Sequence, residues 1–205
     1  MYDESTRDHQ SRVSTSGKAW ENYVERFLVN QFKSSELTIK RGNQIREDTL
    51  LWKKLSIPTK ASTVQDSIWG DIDLVVLKGD IVVAVISCKT SLHGRFTETL
   101  FYGVLFRMWS RVKFVLVTSD TGRGGEKWQS EWGTPEMPTK DRMLAESYLE
   151  GVYVDNVPEF CPKKNPDDHT VLGGIVRPID ELPCDLKKWA EEDAKFIYTG
   201  KQQKL

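Results

Sequence analysis

Residues 70–89 read GDIDLVVLKGDIVVAVISCK, and TSLHGRFTE follows at once over 90–98. Residues 74–77 and 81–86 are short runs of Val, Ile, Leu and Ala bounded by turn residues, the pattern of buried strands. Lys78, Gly79 and Asp80 supply a hairpin turn, with Gly79 free to take a positive φ. Side chains alternate along a strand, so Asp71 and Asp73 share one face, and so do Ser87 and Lys89. Folding the hairpin about Gly79 sets the Asp71–Asp73 end beside the Ser87–Lys89 end. An apolar hairpin then presents carboxylates, a hydroxyl and an ammonium at one edge. Burying such groups without partners is costly, so the pattern predicts either a bound metal or a mutual salt bridge. A surface Asp–Lys pair at a sheet edge accounts for the same residues.

The rest of the chain sets the frame. At 205 residues it fits one domain, 1–205. A polar arm spans 1–16, a core 17–120, and an elaboration 121–205. A hydrophobic content of 39% and a charged content of 29% permit a real core and exclude wholesale disorder. The net charge of −1 advertises no global basic field for nucleic acid, which leaves room for a local basic cleft. Cys88, Cys161 and Cys184 form no CxxC pair, and with His169 their long, unequal spacings do not suit zinc. Idle thiols in a reducing cytosol fit better. No stretch is long and apolar enough for a membrane span, and the N-terminal residues lack an apolar signal core. The expectation is a cytoplasmic protein.

Ser14, Thr15 and Ser16 offer N-caps for a helix over about 18–32, with Trp20, Tyr23, Val24, Phe27 and Leu28 on its buried face. Glu21 and Glu25 lie one turn apart on its flank, where helix acids are ordinarily solvated. Residues 34–66 are polar and broken, with a short helix at 50–55 ended by Pro58. A helix over 97–110 carries Leu100, Phe101, Val104, Leu105 and Met108 on one side. Residues 113–118, KFVLVT, read as a third buried strand. A long Gly-, Pro- and Trp-containing loop fills 121–140, functional or disordered at that length. Residues 141–150 look helical, 151–154 and 172–176 look like strands, and 179–194 looks like a closing helix. This order predicts an α/β (α+β) fold, a mixed central sheet flanked by helices. No GxGxxG or P-loop sequence supports a nucleotide cofactor.

A helix with Glu, an Asp on one strand, x-Lys on the next, then helix and strand, resembles the PD-(D/E)xK nuclease superfamily. The resemblance spans about 17–120 and implies that superfamily's restriction-endonuclease-like core. Asp73, directly before the apolar run, takes the place of the superfamily's Asp, with Asp71 as its understudy. Lys89 takes the place of the Lys, and Glu21 that of the acid often added by the first helix. Ser87 departs from the pattern, because Asp or Glu is expected there. Some restriction endonucleases of the superfamily carry Ser-x-Lys and draw the acid from the following helix, which makes Glu98 the candidate here. The spacing of Lys89, Arg95 and Glu98 also resembles restriction enzymes reading CCGG-type sites, with Gly94 in place of a further acid.

The resemblance implies a Mg²⁺-dependent type II restriction endonuclease cutting double-stranded DNA as a homodimer in a restriction–modification setting. A structure-selective nuclease, or a catalytically silent DNA-binding relative, is the alternative. Asp73 would bind the metal, with Glu98 or Glu21, Asp71 and the Cys88 carbonyl as further ligands. Lys89 would orient water and offset charge on the phosphate. Arg95 would reach a guanine edge or a phosphate. His93 would touch phosphate. Arg107, Arg111 and Lys113 form a basic cluster, and Arg123, Lys127, Trp128 and Trp132 mix charge with aromatics in the long loop. Trp20 and Trp69 belong to the core.

Overall fold

The computed structural model describes residues 4–45, 47–56, 70–92, 95–110, 112–123, 129–134, 136–155 and 175–202. The hairpin of 70–89 is its centre. Strand β2 (Leu74–Lys78) turns at Gly79, whose φ is 57°, into β3 (Ile81–Lys89). The two pair antiparallel, Leu74 opposite Ile86, with a bulge between Val76 and Leu77. β3 runs three residues beyond the apolar run because β4 (Lys113–Ser119) pairs with it in parallel as far as Lys89, opposite Thr118. β5 (Gly151–Asp155) and β6 (Val176–Pro178) extend the parallel half. On the other side, β1 (Leu37–Arg41) pairs antiparallel with β2. The result is a six-stranded mixed sheet in the order β1 to β6, as the α/β expectation requires.

Helices cover both faces. β2 to β5 are buried on both sides, which is why their sequences are continuous apolar runs and do not alternate. One face packs Trp20, Val24, Leu28 and Phe32 of α1 (Glu4–Gln31) and its end, and Leu182, Leu186 and Ala190 of α6 (Leu182–Gln202). The opposite face packs Leu51 and Leu55 of α3 (Thr49–Leu55), Phe96 and Phe106 of α4 (Phe96–Trp109), and Ala145 of α5 (Lys140–Tyr148). Asp48 caps α3 by accepting from the Leu50 and Leu51 amides, and Thr139 caps α5 by accepting from the Arg142 amide. A short helix, α2 (Gly42–Ile45), follows β1, and a 3-10 turn, Ile179–Glu181, leads into α6.

Four expectations change. α1 begins at Glu4, so residues 4–16 are helical and the helix starts well before the expected 18. Tyr23 is 45% exposed and stacks on Trp20 instead of entering the core. β1 and α2 lie inside the stretch read as broken. On α4 the buried positions are Phe96, Thr99, Gly103 and Phe106, while Phe101 and Met108 face solvent. Gly103 sets that rotation, because a Cβ there would lie 2.3 Å from Leu149 Cδ2.

Candidate active site

The hairpin delivers its polar end to the carboxyl ends of the parallel strands, where open α/β sheets place their ligand crevices. The Asp73 amide donates to the Ile86 carbonyl at 3.0 Å, which extends the pairing past Leu74 and fixes the acids beside β3. Lys89 Nζ lies 2.6 Å from Asp71 Oδ1 and 3.7 Å from Asp73 Oδ2. Ser87 Oγ donates to Asp71 Oδ2 at 2.7 Å, and Thr99 Oγ1 of α4 donates to the same oxygen at 2.9 Å. The Cys88 amide donates to Asp73 Oδ2 at 2.6 Å. Cys88 thus meets an acid through its backbone amide.

Helix α1 brings Glu21 to the same place. Two contacts hold the helix there. Trp20 Nε1 donates to the Val117 carbonyl of β4 at 3.2 Å. Arg41, at the end of β1, donates from Nε to Glu25 Oε1 at 3.0 Å, from Nη2 to Asn22 Oδ1 at 2.7 Å, and closes on Glu25 Oε2 as well. Glu25 is therefore a docking residue and not a solvated acid. Glu21, one turn before it, lines a pocket of 440 Å³ with Asp73, Lys18, Asn22, Arg41, Gly42, Asn43 and Ile72. Gly42 forms a wall of this pocket by close approach. Its amide donates to the Asp73 carbonyl at 2.9 Å, and a Cβ there would lie 2.3 Å from the Ile72 carbonyl oxygen.

The electrostatics are uneven. Burial pushes the Asp73 carboxyl above its ordinary value, against the pull of Lys89 and the Cys88 amide. Burial also raises Glu21, and the charge of Asp73 raises it further. Burial alone would lower Lys89, but Asp73 and Asp71 outweigh it and hold the ammonium above its ordinary range. Burial raises the Cys88 thiol well above its usual range, so it stays protonated. Among the described residues Glu21 makes no hydrogen bond or ion pair, and Asp73 Oδ1 accepts none. Two under-partnered carboxylates thus face one pocket and repel each other. Their donor set is all oxygen, which suits a hard divalent cation that keeps waters and needs only one or two carboxylates. Among the described residues no three His, Cys, Asp or Glu side chains converge into a complete metal cage.

Glu98 lies in the first turn of α4, exposed, and makes no hydrogen bond or ion pair with Asp71, Asp73 or Lys89. Its neighbour Thr99 faces the acids instead. Sequence reading passed over Thr99, which nothing in the sequence distinguishes from Thr97 two residues before it. Arg95 is exposed at the residue before α4, its guanidinium unpaired among the described residues. Arg123 is also exposed, and its amide bonds the Gln129 carbonyl at 2.9 Å. His93, Lys127, Trp128, Trp69, Arg111, Cys161 and His169 lie outside the described residues. Trp132 is fully buried, edge-on to Phe96, so it is core and not a surface aromatic. Lys113 pairs with Ala84, five residues along β3 from Lys89. At about 3.3 Å per residue that places it roughly 16 Å from the acids. Arg107 is spent on the Ser147 carbonyl of α5.

An antiparallel hairpin carrying acids and a lysine, fed into a parallel strand and flanked by an acid-bearing helix, defines a restriction-endonuclease-like nuclease. The solved structure of a "Restriction endonuclease PspGI-substrate DNA complex" shares the fold, with a TM-score of 0.54 at 12% identity, over 93% of this chain and 69% of that one. The family model described as "BsaWI restriction endonuclease type 2" matches residues 25–170, and the chain belongs to that family. No curated protein matches the chain. No helix among the described residues is long and apolar enough to cross a membrane.

Proposed function

We propose that this protein is a type II restriction endonuclease that hydrolyses phosphodiester bonds of double-stranded DNA at a specific sequence, with Mg²⁺ as its cofactor. One observation carries the reading. A buried ammonium, Lys89, sits against two partly buried acids at the edge of a pocket that also holds Glu21, unpaired among the described residues.

Asp73 and Glu21 would hold the cation, since both line the pocket and, among the described residues, Asp73 Oδ1 and the Glu21 carboxylate have no hydrogen-bond partner. A divalent ion there supplies Lewis acidity and a more acidic water. The chain's own residues do the rest. Asp73 is fixed by the Cys88 amide, so one oxygen is committed to structure and the other is presented outward. Lys89 is kept charged by its two acids, so at working pH it is a cation and not a base. It offsets the negative charge that grows on the phosphate oxygens as the bond breaks. Arg95, exposed six residues after Lys89 and unpaired among the described residues, would reach a base edge or a phosphate. Glu21 is favoured over Glu98 as the helix acid because it alone shares the pocket with Asp73. A homodimer reading a two-fold symmetric site completes the proposal.

The test is incubation of the purified protein with phage-sized duplex DNA in Mg²⁺ and in EDTA. Discrete Mg²⁺-dependent fragments are expected, and mapping their ends gives the site. A smear, or intact DNA, would reject sequence-specific cleavage.

A further inference from the structure

Ser87 stands where the superfamily pattern has an acid, and its surroundings show where the charge has gone. Its side chain is fully buried and donates to Asp71 Oδ2. Thr99, also fully buried, donates to that same oxygen from the helix that follows. Lys89 takes the other oxygen of Asp71. Asp71 therefore has both oxygens occupied, while Asp73 keeps one open. Thr99 Oγ1 also approaches its own helix at the Arg95 carbonyl, at 3.4 Å against 2.9 Å to Asp71, so the acid is its main acceptor. A carboxylate at position 87 would remove the hydroxyl that donates to Asp71 Oδ2 and set a second acceptor against it, so positions 71 and 87 fit one acid and one hydroxyl donor.

We propose that Asp71 stands in for the acid missing at position 87, and that Ser87 and Thr99 are positioning residues that lock Asp71 against Lys89. The proposal rests on the nuclease reading above and deepens it. Asp71 orients the lysine, Asp73 and Glu21 remain for the cation, and no acid is required from Glu98. Thr99 acts through Asp71 and never touches DNA.

The experiment is a charge exchange: Ser87→Asp, Asp71→Ser and the double variant, with Thr99→Val and Thr99→Ser alongside. Melting temperature without DNA, DNA affinity, and single-turnover cleavage of duplex DNA in Mg²⁺ are measured for each. Each single exchange is expected to lose cleavage by about 10- to 100-fold. The double variant is expected to regain about tenfold over either single. Ser87→Asp lowers the melting temperature at pH 7, and the double variant restores it. Thr99→Val, nearly isosteric, slows cleavage about 3- to 10-fold with DNA affinity unchanged, and Thr99→Ser restores it. Ser87→Asp as active as the wild type, a folded double variant no better than the singles, or Thr99→Val without effect would each overturn the proposal. A wild type that cuts no duplex DNA would overturn the nuclease reading instead. The melting arm needs no DNA and still decides whether the two positions exchange their charge.

Discussion

Two of the polar clusters among the described residues differ in what they leave undone. At the parallel end of the sheet, Tyr153 donates its hydroxyl to Asp185 at 2.6 Å. Arg177 lies 2.7 Å from the same acid, donates to the tyrosine oxygen at 3.1 Å, and covers its ring at 5.2 Å. Gly151 makes room for that ring, since a Cβ there would lie 2.6 Å from Tyr153 Cε2. Acid, hydroxyl and guanidinium answer one another, and burial drives the tyrosine far above its ordinary range. At the hairpin end, one ammonium faces Asp71 and Asp73, with Glu21 unpaired among the described residues across the pocket. The first cluster sets its cation against an acid in direct contact, leaving only Arg177 Nε without a partner among its described groups, and holds β5, β6 and α6 together. The second carries surplus negative charge beside open space. Burial of charge alone does not separate structure from function; unbalanced charge next to a cavity does.

The largest effect expected from breaking this contrast is at its centre. Asp73→Ala and Lys89→Ala should each reduce DNA cleavage by about 10³-fold or more. Lys89→Ala should also lower the melting temperature at pH 7, because two buried carboxylates then face each other without a cation. Cleavage at wild-type rate in either variant would remove the active site described here. Next, Glu21→Gln should cost about 10- to 100-fold in cleavage and in apparent affinity for Mg²⁺. Glu98→Gln should stay within about threefold of the wild type. The reverse order would move the acid to α4.

The first cluster should respond in stability alone. Tyr153→Phe removes one hydrogen bond to Asp185, which Arg177 still serves. It should cost about 1–2 kcal/mol in denaturant unfolding and leave cleavage unchanged. A drop in cleavage at equal folding would erase the distinction between the clusters.

The smallest effect is a pH slope. A carboxyl raised in the folded state binds more protons folded than unfolded, so stability falls as pH climbs from the ordinary value through the raised one. For Asp73 that window opens at 3.8 and for Glu21 at 4.5. Asp73→Asn should flatten the fall and melt higher than the wild type at pH 7. Melting curves at pH 4 and pH 7 decide it, and an unaltered slope would mean that Asp73 is no burden to the fold.

Much of this was legible in the residues. The hairpin, the strand at 113–118 and the apolar stripe of α1 follow from runs and spacings that burial on both sheet faces imposes. The meeting of Asp71, Asp73, Ser87 and Lys89 follows from strand alternation about one glycine. What escaped has physical reasons. β1 is a short edge strand, LTIKR, whose weak alternation is masked by a polar setting. α4 is apolar nearly all round, so periodicity could not orient it, and Gly103 and Thr99 decide the matter through contacts distant in sequence. Trp132 sits among loop residues yet packs on Phe96, a contact that only the folded chain makes. Glu25 and Glu21 look alike on the helix; Arg41, further along the chain, separates their fates.

Gly42 has a consequence for sorting related sequences. The main chain of β1 and α2 lies directly on the backbone that carries Ile72 and Asp73, with no allowance for a side chain. Any relative that bears a larger residue at the matching position must carry its acidic segment along a different path. The identity of one residue in an aligned relative therefore separates chains that keep this arrangement of acids from those that have rebuilt it.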